Sequence, residues 1–175
     1  MKTRHSLIFL LLTLSGCTRI NSIGTQFKIM EEPDSGERAR VRVTANMLVR
    51  GSPNTACMDW NSDKSGTILG GILNNKGYRG RNLDIPDPNH GKTADDAEFY
   101  VRADEPFTLM FTSLPESRNI CRAGTTFVPE KGHDYEFVLL THKEGNIHAR
   151  CAIQANDVTN GQSLPVAVSE TRSCY

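Results

Sequence analysis

His142 and His148 lie on either side of Glu144-Gly145-Asn146, a turn signal because glycine and asparagine tolerate positive φ. A three-residue loop there would set the two imidazoles across from each other, within reach of one metal ion. A two-residue loop would offset them, and no third ligand stands at a fixed local spacing. Upstream, Asp84, Asp87, Asn89, Asp95, Asp96 and Glu98 form an oxygen-rich stretch of the kind calcium takes. Pro86 and Pro88 interrupt it, and the Asp-x-Asp-x-Asp-Gly pattern of an EF-hand is absent, so a hydrated acidic loop is expected. Nucleophile motifs are missing as well. There is no Gly-x-Ser-x-Gly, and four cysteines expected to be oxidised offer no thiolate to a histidine. No catalytic residue, metal ligand or cofactor is assigned on these grounds.

Arginine is the residue type with the clearest spacing. Arg38, Arg40, Arg42 and Arg50 alternate with Ala39, Val41, Val43, Ala45, Met47 and Val49, and only Leu48 is out of step. Period-two alternation predicts one strand over 38–50 with a buried and a wet face. Four guanidiniums on the wet face would suit phosphate or carboxylate ligands. A solvated edge strand, charged to prevent sheet-to-sheet pairing, accounts for the same pattern. The stretch after Cys57 adds Trp60 and then Tyr78, Arg79 and Arg81 inside "GYRGRN". Trp60, the single tryptophan, is expected to pack on the Cys57 disulfide; exposed, it would offer a sugar a stacking surface.

These residues need a scaffold, and the scaffold reads as strands. Ala97, Phe99 and Val101 alternate with Glu98, Tyr100 and Arg102, Phe107, Leu109 and Phe111 alternate with Thr108, Met110 and Thr112, and "TTFVPEKGHDYEFVLL" reads as strand, turn, strand. "THKEGNIHARCAIQ" reads as a hairpin, and a last strand is expected near 164–169. No long 3.6-residue period occurs. The expected fold is all-β, a single antiparallel β-sandwich over 38–175. Its long insertion is 58–96, where Thr67 to Leu73 is read as a strand kinked at Gly70-Gly71 and the rest as a loop of binding or merely variable character. A true immunoglobulin domain is a poor match, because Trp60 lies three residues after Cys57 and Ala149 stands where a tyrosine corner would put tyrosine. The domain resembles an immunoglobulin-like or transthyretin-like sandwich and no narrower type.

The N-terminal stretch carries the most specific motif. Lys2, Arg4 and His5 precede residues 7–14, apolar except for Thr13, and then Leu14-Ser15-Gly16-Cys17. Basic, apolar and small-residue zones in that order describe a signal peptide, and eight residues fall short of the roughly 20 a bilayer span needs. Leu14 to Cys17 resembles the lipobox of bacterial lipoproteins. The resemblance implies removal of 1–16, lipid on Cys17, and, from Thr18 rather than aspartate, an outer-membrane anchor facing the periplasm. Two or more acyl chains at about 0.8 kcal/mol per buried methylene would make that attachment stable. Residues 17–37, containing "EEPDSGE", are expected to be a flexible tether of about 25 Å root-mean-square span.

Without 1–16 the chain holds 18 basic and 20 acidic residues, a charge near −2 that gives no reason to expect nucleic acid. With Cys17 acylated, Cys57, Cys121, Cys151 and Cys174 remain as two disulfides in an oxidising compartment. Three pairings are open; Cys121–Cys151 across one hairpin region and Cys57–Cys174 are expected. The functional expectation is a lipid-anchored protein of the cell envelope with a non-enzymatic binding or structural role toward an envelope protein or glycan. The alternative is an envelope hydrolase or metal-dependent enzyme built on His142, His148 and the 84–98 acidic loop.

Overall fold

The structure, a computed structural model, describes residues 27–70, 75–88, 95–113, 121–144 and 148–174, without the side chains of 142–144 and 148–149. The chain runs through β1 (Arg38–Thr44), β2 (Leu48–Pro53), β3 (Gly66–Leu69), β4 (Asp96–Arg102) and β5 (Phe107–Thr112). It continues through β6 (Arg122–Phe127), β7 (Asp134–Glu144), β8 (His148–Asp157), β9 (Leu164–Pro165) and β10 (Ser169–Glu170). They form a β-sandwich of two sheets. The first is ordered β4-β1-β7-β8-β9 and the second β10-β6-β5-β2-β3. The strands pair antiparallel except β1 with β7, which run parallel, so the expected wholly antiparallel sandwich needs that correction.

The strand predicted over 38–50 is two strands in opposite sheets. After Thr44 the chain crosses the sandwich through Ala45, Asn46 and Met47, and Leu48 restarts it in the second sheet. Leu48 broke the alternation because the period resets there. The strand–turn–strand at 125–140 behaves the same way. The turn is present, with Gly132 at φ 74°, but β6 and β7 belong to different sheets. Such crossings let Val41, Val43, Phe99 and Phe137 of the first sheet face Val49, Leu109, Phe111 and Phe127 of the second in one core. Phe127 links the two sheets, at 4.7 Å between ring centroids from Phe137 and 6.3 Å from Phe107.

The predicted tether is corrected from residue 27 onward. Met30 is 1 % exposed and belongs to the core, and Ile29 forms a parallel bridge with Thr67. Met30 N–H donates to the Thr67 carbonyl at 3.0 Å and Glu31 N–H to that of Lys64 at 2.9 Å. The domain therefore starts before residue 38; residues 1–26, with the signal peptide and Cys17, lie outside the described residues. Both expected disulfides are formed, with Cα atoms 5.2 Å apart at Cys57–Cys174 and 6.1 Å apart at Cys121–Cys151. Cys121 immediately precedes β6 and Cys151 lies in β8, so this bridge joins the two sheets rather than the sides of one hairpin.

His133 and Asp157 close the end of the β7–β8 pair, Nδ1 to Oδ2 at 2.6 Å. The hydrogen bond to Asp157 raises the imidazole above its ordinary value. Burial pushes the Asp157 carboxyl up, but hydrogen bonds from Thr159 and His133 outweigh it and leave the carboxyl lowered. The contribution of the histidine is full below its unfolded pKa, about 6.5, and is lost as pH rises through the raised folded value. That of the aspartate is present above about 3.9 and is lost as pH falls through the lowered folded value. Stabilisation by the pair is thus greatest between those limits. With the imidazole 36 % exposed, it is at most about 1 kcal/mol. An NMR titration should give His133 a midpoint above 6.5, and His133→Gln should lower the melting temperature at pH 5.5 but not at pH 9.

Candidate functional site

Alternation in β1 points Arg40 and Arg42 away from the core, yet neither faces open solvent. Residues 78–86 of the insertion lie across them. Arg42 is 2 % exposed on a central strand, which overturns both the open arginine face and the edge-strand reading. Its Nε and Nη2 donate to Glu98 Oε1 at 3.0 and 2.8 Å, and Nη1 donates to Glu136 Oε1 at 3.3 Å. Nη2 also donates to the Ile85 carbonyl at 2.6 Å and Nη1 to that of Pro86 at 3.1 Å. An arginine has five N–H donors, and each of these has an acceptor. Burial alone would lower this guanidinium; the hydrogen bonds and charges of Glu98, then Glu136, more than offset it. The other Glu98 oxygen accepts from Leu83 N–H. Arg40 grips Asp134 through two 2.6 Å hydrogen bonds and donates to the Leu83 carbonyl at 2.7 Å. The arginines of β1 therefore clasp the insertion onto the sheet.

The remaining predicted residues of this face are fastened in the same way. Arg38 lies over Tyr100, its Cζ 4.6 Å from the ring centroid. Tyr78, which burial pushes up to about 12, donates its hydroxyl to the Met30 carbonyl at 2.5 Å. Arg81 donates to Glu32 at 2.8 Å and lies over Tyr78 and Tyr100. Arg79 pairs with Asp95 at 3.4 Å on the surface. Gly77, at φ 60°, brings the backbone so close to β3 that a Cβ would meet the Ile68 carbonyl oxygen at 2.2 Å. The stretch 75–88 is a packed cover, and the acidic loop is dispersed with it. Asp96 and Glu98 are buried on β4, Asp84 accepts from the Asn82 amide, and Asn89 lies outside the described residues. Among the described residues no three His, Cys, Asp or Glu side chains are grouped to hold a metal. The β7–β8 register sets His142 opposite Arg150 and His148 opposite Glu144. The two histidine positions are thus diagonal, not opposed; their side chains lie outside the described residues.

Arg50 has a different situation. It leaves the core on β2, on the outer face of the second sheet, opposite Met110 of β5, which in turn pairs with Gly124 of β6. A second cover closes this face. Residues 55–60 run beside 171–174, with Met58 N–H donating to the Arg172 carbonyl at 2.9 Å and Cys174 N–H to the Met58 carbonyl at 3.0 Å. Thr108 and Thr171 hydroxyls donate to the carbonyls of Thr55 and Ala56, and Cys57–Cys174 pins the two segments together. Under this cover Arg50 is 9 % exposed. Its Nε has no hydrogen-bond partner, and among the described residues the guanidinium makes no ion pair. What it has is Trp60, whose ring centroid lies 5.1 Å from Arg50 Cζ and 5.8 Å from Arg122 Cζ. The Trp60 Nε1–H donates to Ser173 Oγ at 2.8 Å, and Arg122 Nη2 donates to the same oxygen at 2.8 Å.

No family model matches the chain, and no curated protein does. The site must be read from its own chemistry. Burial, and then the like charge of Arg122, lowers the Arg50 guanidinium from its ordinary value. Arg42 and Arg50 are expected on one face, yet one is saturated by acceptors and the other has none among the described residues. Arg122 was not among the predicted residues, and the signal for it was non-local, since only the β2-β5-β6 order brings it to Trp60.

Proposed function

We propose that the chain is a lipoprotein of the bacterial cell envelope, cut before Cys17 and held by lipid at the outer membrane, facing the periplasm. Its sandwich then has a non-enzymatic binding or structural role toward an envelope protein or glycan. The observation that carries this reading is the use of cysteine. Cys57, Cys121, Cys151 and Cys174 are consumed in two bridges, as an oxidising compartment allows, which leaves Cys17 free for another chemistry. The early start of the domain adds a length. Residues 18–26, even fully extended, reach roughly 30 Å, so the sandwich stays near the bilayer.

A transthyretin-like type is the better supported of the two resemblances. An immunoglobulin constant domain keeps its first two strands in one sheet, whereas here β1 and β2 lie in opposite sheets.

Cys17→Ser tests the anchor. The variant is expected to leave the membrane fraction, lose the acyl mass at its N-terminus and melt at the wild-type temperature. A variant that stays membrane-bound contradicts the reading.

A further inference from the structure

We propose that Arg50 and Arg122, both over the Trp60 indole on the outer face of the second sheet, bind an oxyanion, a phosphate or carboxylate group of the ligand. The inference concerns the ligand's chemistry and stands whether or not Cys17 is lipidated. Three observations converge on it. First, Arg50 is 9 % exposed and its Nε is buried without an acceptor, and a buried polar group left unpaired is costly, more so on a charged side chain. Arg42, equally a buried arginine of this sandwich, shows the usual solution in its full set of acceptors.

Second, among the described residues the partner of the Arg50 guanidinium is an aromatic face, which attracts a cation but offers its N–H groups no oxygen acceptor. The N–H groups remain available to oxygen, and guanidinium forks match phosphate and carboxylate oxygens. Third, a second cation stands beside it where a carboxylate would be the ordinary neighbour. Arg122 is exposed and lines an open cleft of about 310 Å³ with Met110, Gly124, Glu170 and Ser173. Glu170, the acidic side chain of that cleft, pairs with neither guanidinium among the described residues. Arg122 and Ser173 of that cleft wall are the neighbours of Trp60, while Trp60 and Arg50 themselves are not part of the wall. The indole ties the exposed arginine to the buried one, since both guanidiniums share it and its Nε1–H shares Ser173 Oγ with Arg122.

Trp60 is the single tryptophan, so its emission reports on this site without labelling. The full-length protein is titrated with inorganic phosphate in one arm and glucuronate in the other, against sodium chloride at matched ionic strength. The expected result is a saturable change in emission, with a rise in melting temperature, for at least one of the two anions. The arm that responds says whether the group is a phosphate or a sugar-borne carboxylate. Arg50→Met is expected to weaken binding about tenfold or more, the loss of one charge-assisted pairing. Without anion it should melt no lower than wild type, because the substitution removes an unpaired charge. Arg122→Gln, at an exposed position, should weaken binding severalfold without changing the fold. The proposal is overturned if both anions act no differently from sodium chloride, or if Arg50→Met responds as wild type does. An Arg50→Met protein that melts well below wild type without anion also overturns it, since the guanidinium would then be already satisfied.

Discussion

Arg42→Met is expected to destabilise the domain by about 3–5 kcal/mol, the cost of leaving buried carboxylates without their cation. The size follows from what the side chain leaves behind. Glu98 and Glu136 are 2 % and 1 % exposed, so neither can exchange its lost partner for water. The Ile85 and Pro86 carbonyls lose their donors as well, and the cover over the first sheet loses its main attachment. Arg42→Lys should fall well short of rescue, because an ammonium has three donors on one atom and cannot serve acceptors on two carboxylates and two carbonyls at once. A triple variant with Glu98→Leu and Glu136→Leu should recover part of the loss, since it removes the orphaned charges. Urea unfolding of wild type and the three variants measures this ordering. Equal stability of wild type and Arg42→Met would mean that the network contributes nothing.

Removing Cys57–Cys174 through Cys57→Ser with Cys174→Ser should cost about 5 kcal/mol by loop-closure entropy, for the bridge closes a sequence separation of 117. The separation of 30 at Cys121–Cys151 gives roughly 3.5 kcal/mol on the same scale, so the long-range bridge is expected to matter more. Structure argues in the same direction. The bridge holds 171–174 onto the second sheet, and with it Ser173, the shared acceptor of Trp60 and Arg122. Loss of the bridge should therefore also alter Trp60 emission before global unfolding. Chemical denaturation of both double variants checks the ranking; a smaller loss at Cys57–Cys174 than at Cys121–Cys151 would reverse it.

Much of the core was readable because it depends on local period. Val41, Val43 and Phe99 alternate with polar or amphipathic neighbours, Leu109 and Phe111 alternate with Thr108, Met110 and Thr112, and all five are buried as that period predicts. The outward direction of Arg40 and Arg42 was readable for the same reason. What covers them was not, because the covering residues come from 78–86, about 40 positions away, and have no period of their own. Met30 illustrates the same limit. A lone methionine before an acidic run looks like tether, and only its pairing with β3 makes it core. The sheet change at 45–47 did leave a local trace in Leu48. The disulfide partners followed from bringing chain ends together, but the inter-sheet position of Cys121–Cys151 depended on β6 crossing over. The contrast between Arg42 and Arg50 is invisible at the level of spacing, since both were placed on one face of one strand.

That contrast rests on residues 78–86 being part of the folded domain rather than a free binding loop. Native-state hydrogen exchange of the Tyr78, Gly80 and Leu83 amides tests it most directly, for they donate to Ile68, Asp96 and Glu98. The expected result is slow exchange in wild type, comparable to the β1 amides, and selective loss of protection at Leu83 in Arg42→Met. Exchange at the rate of an open loop in the wild-type protein would contradict the account.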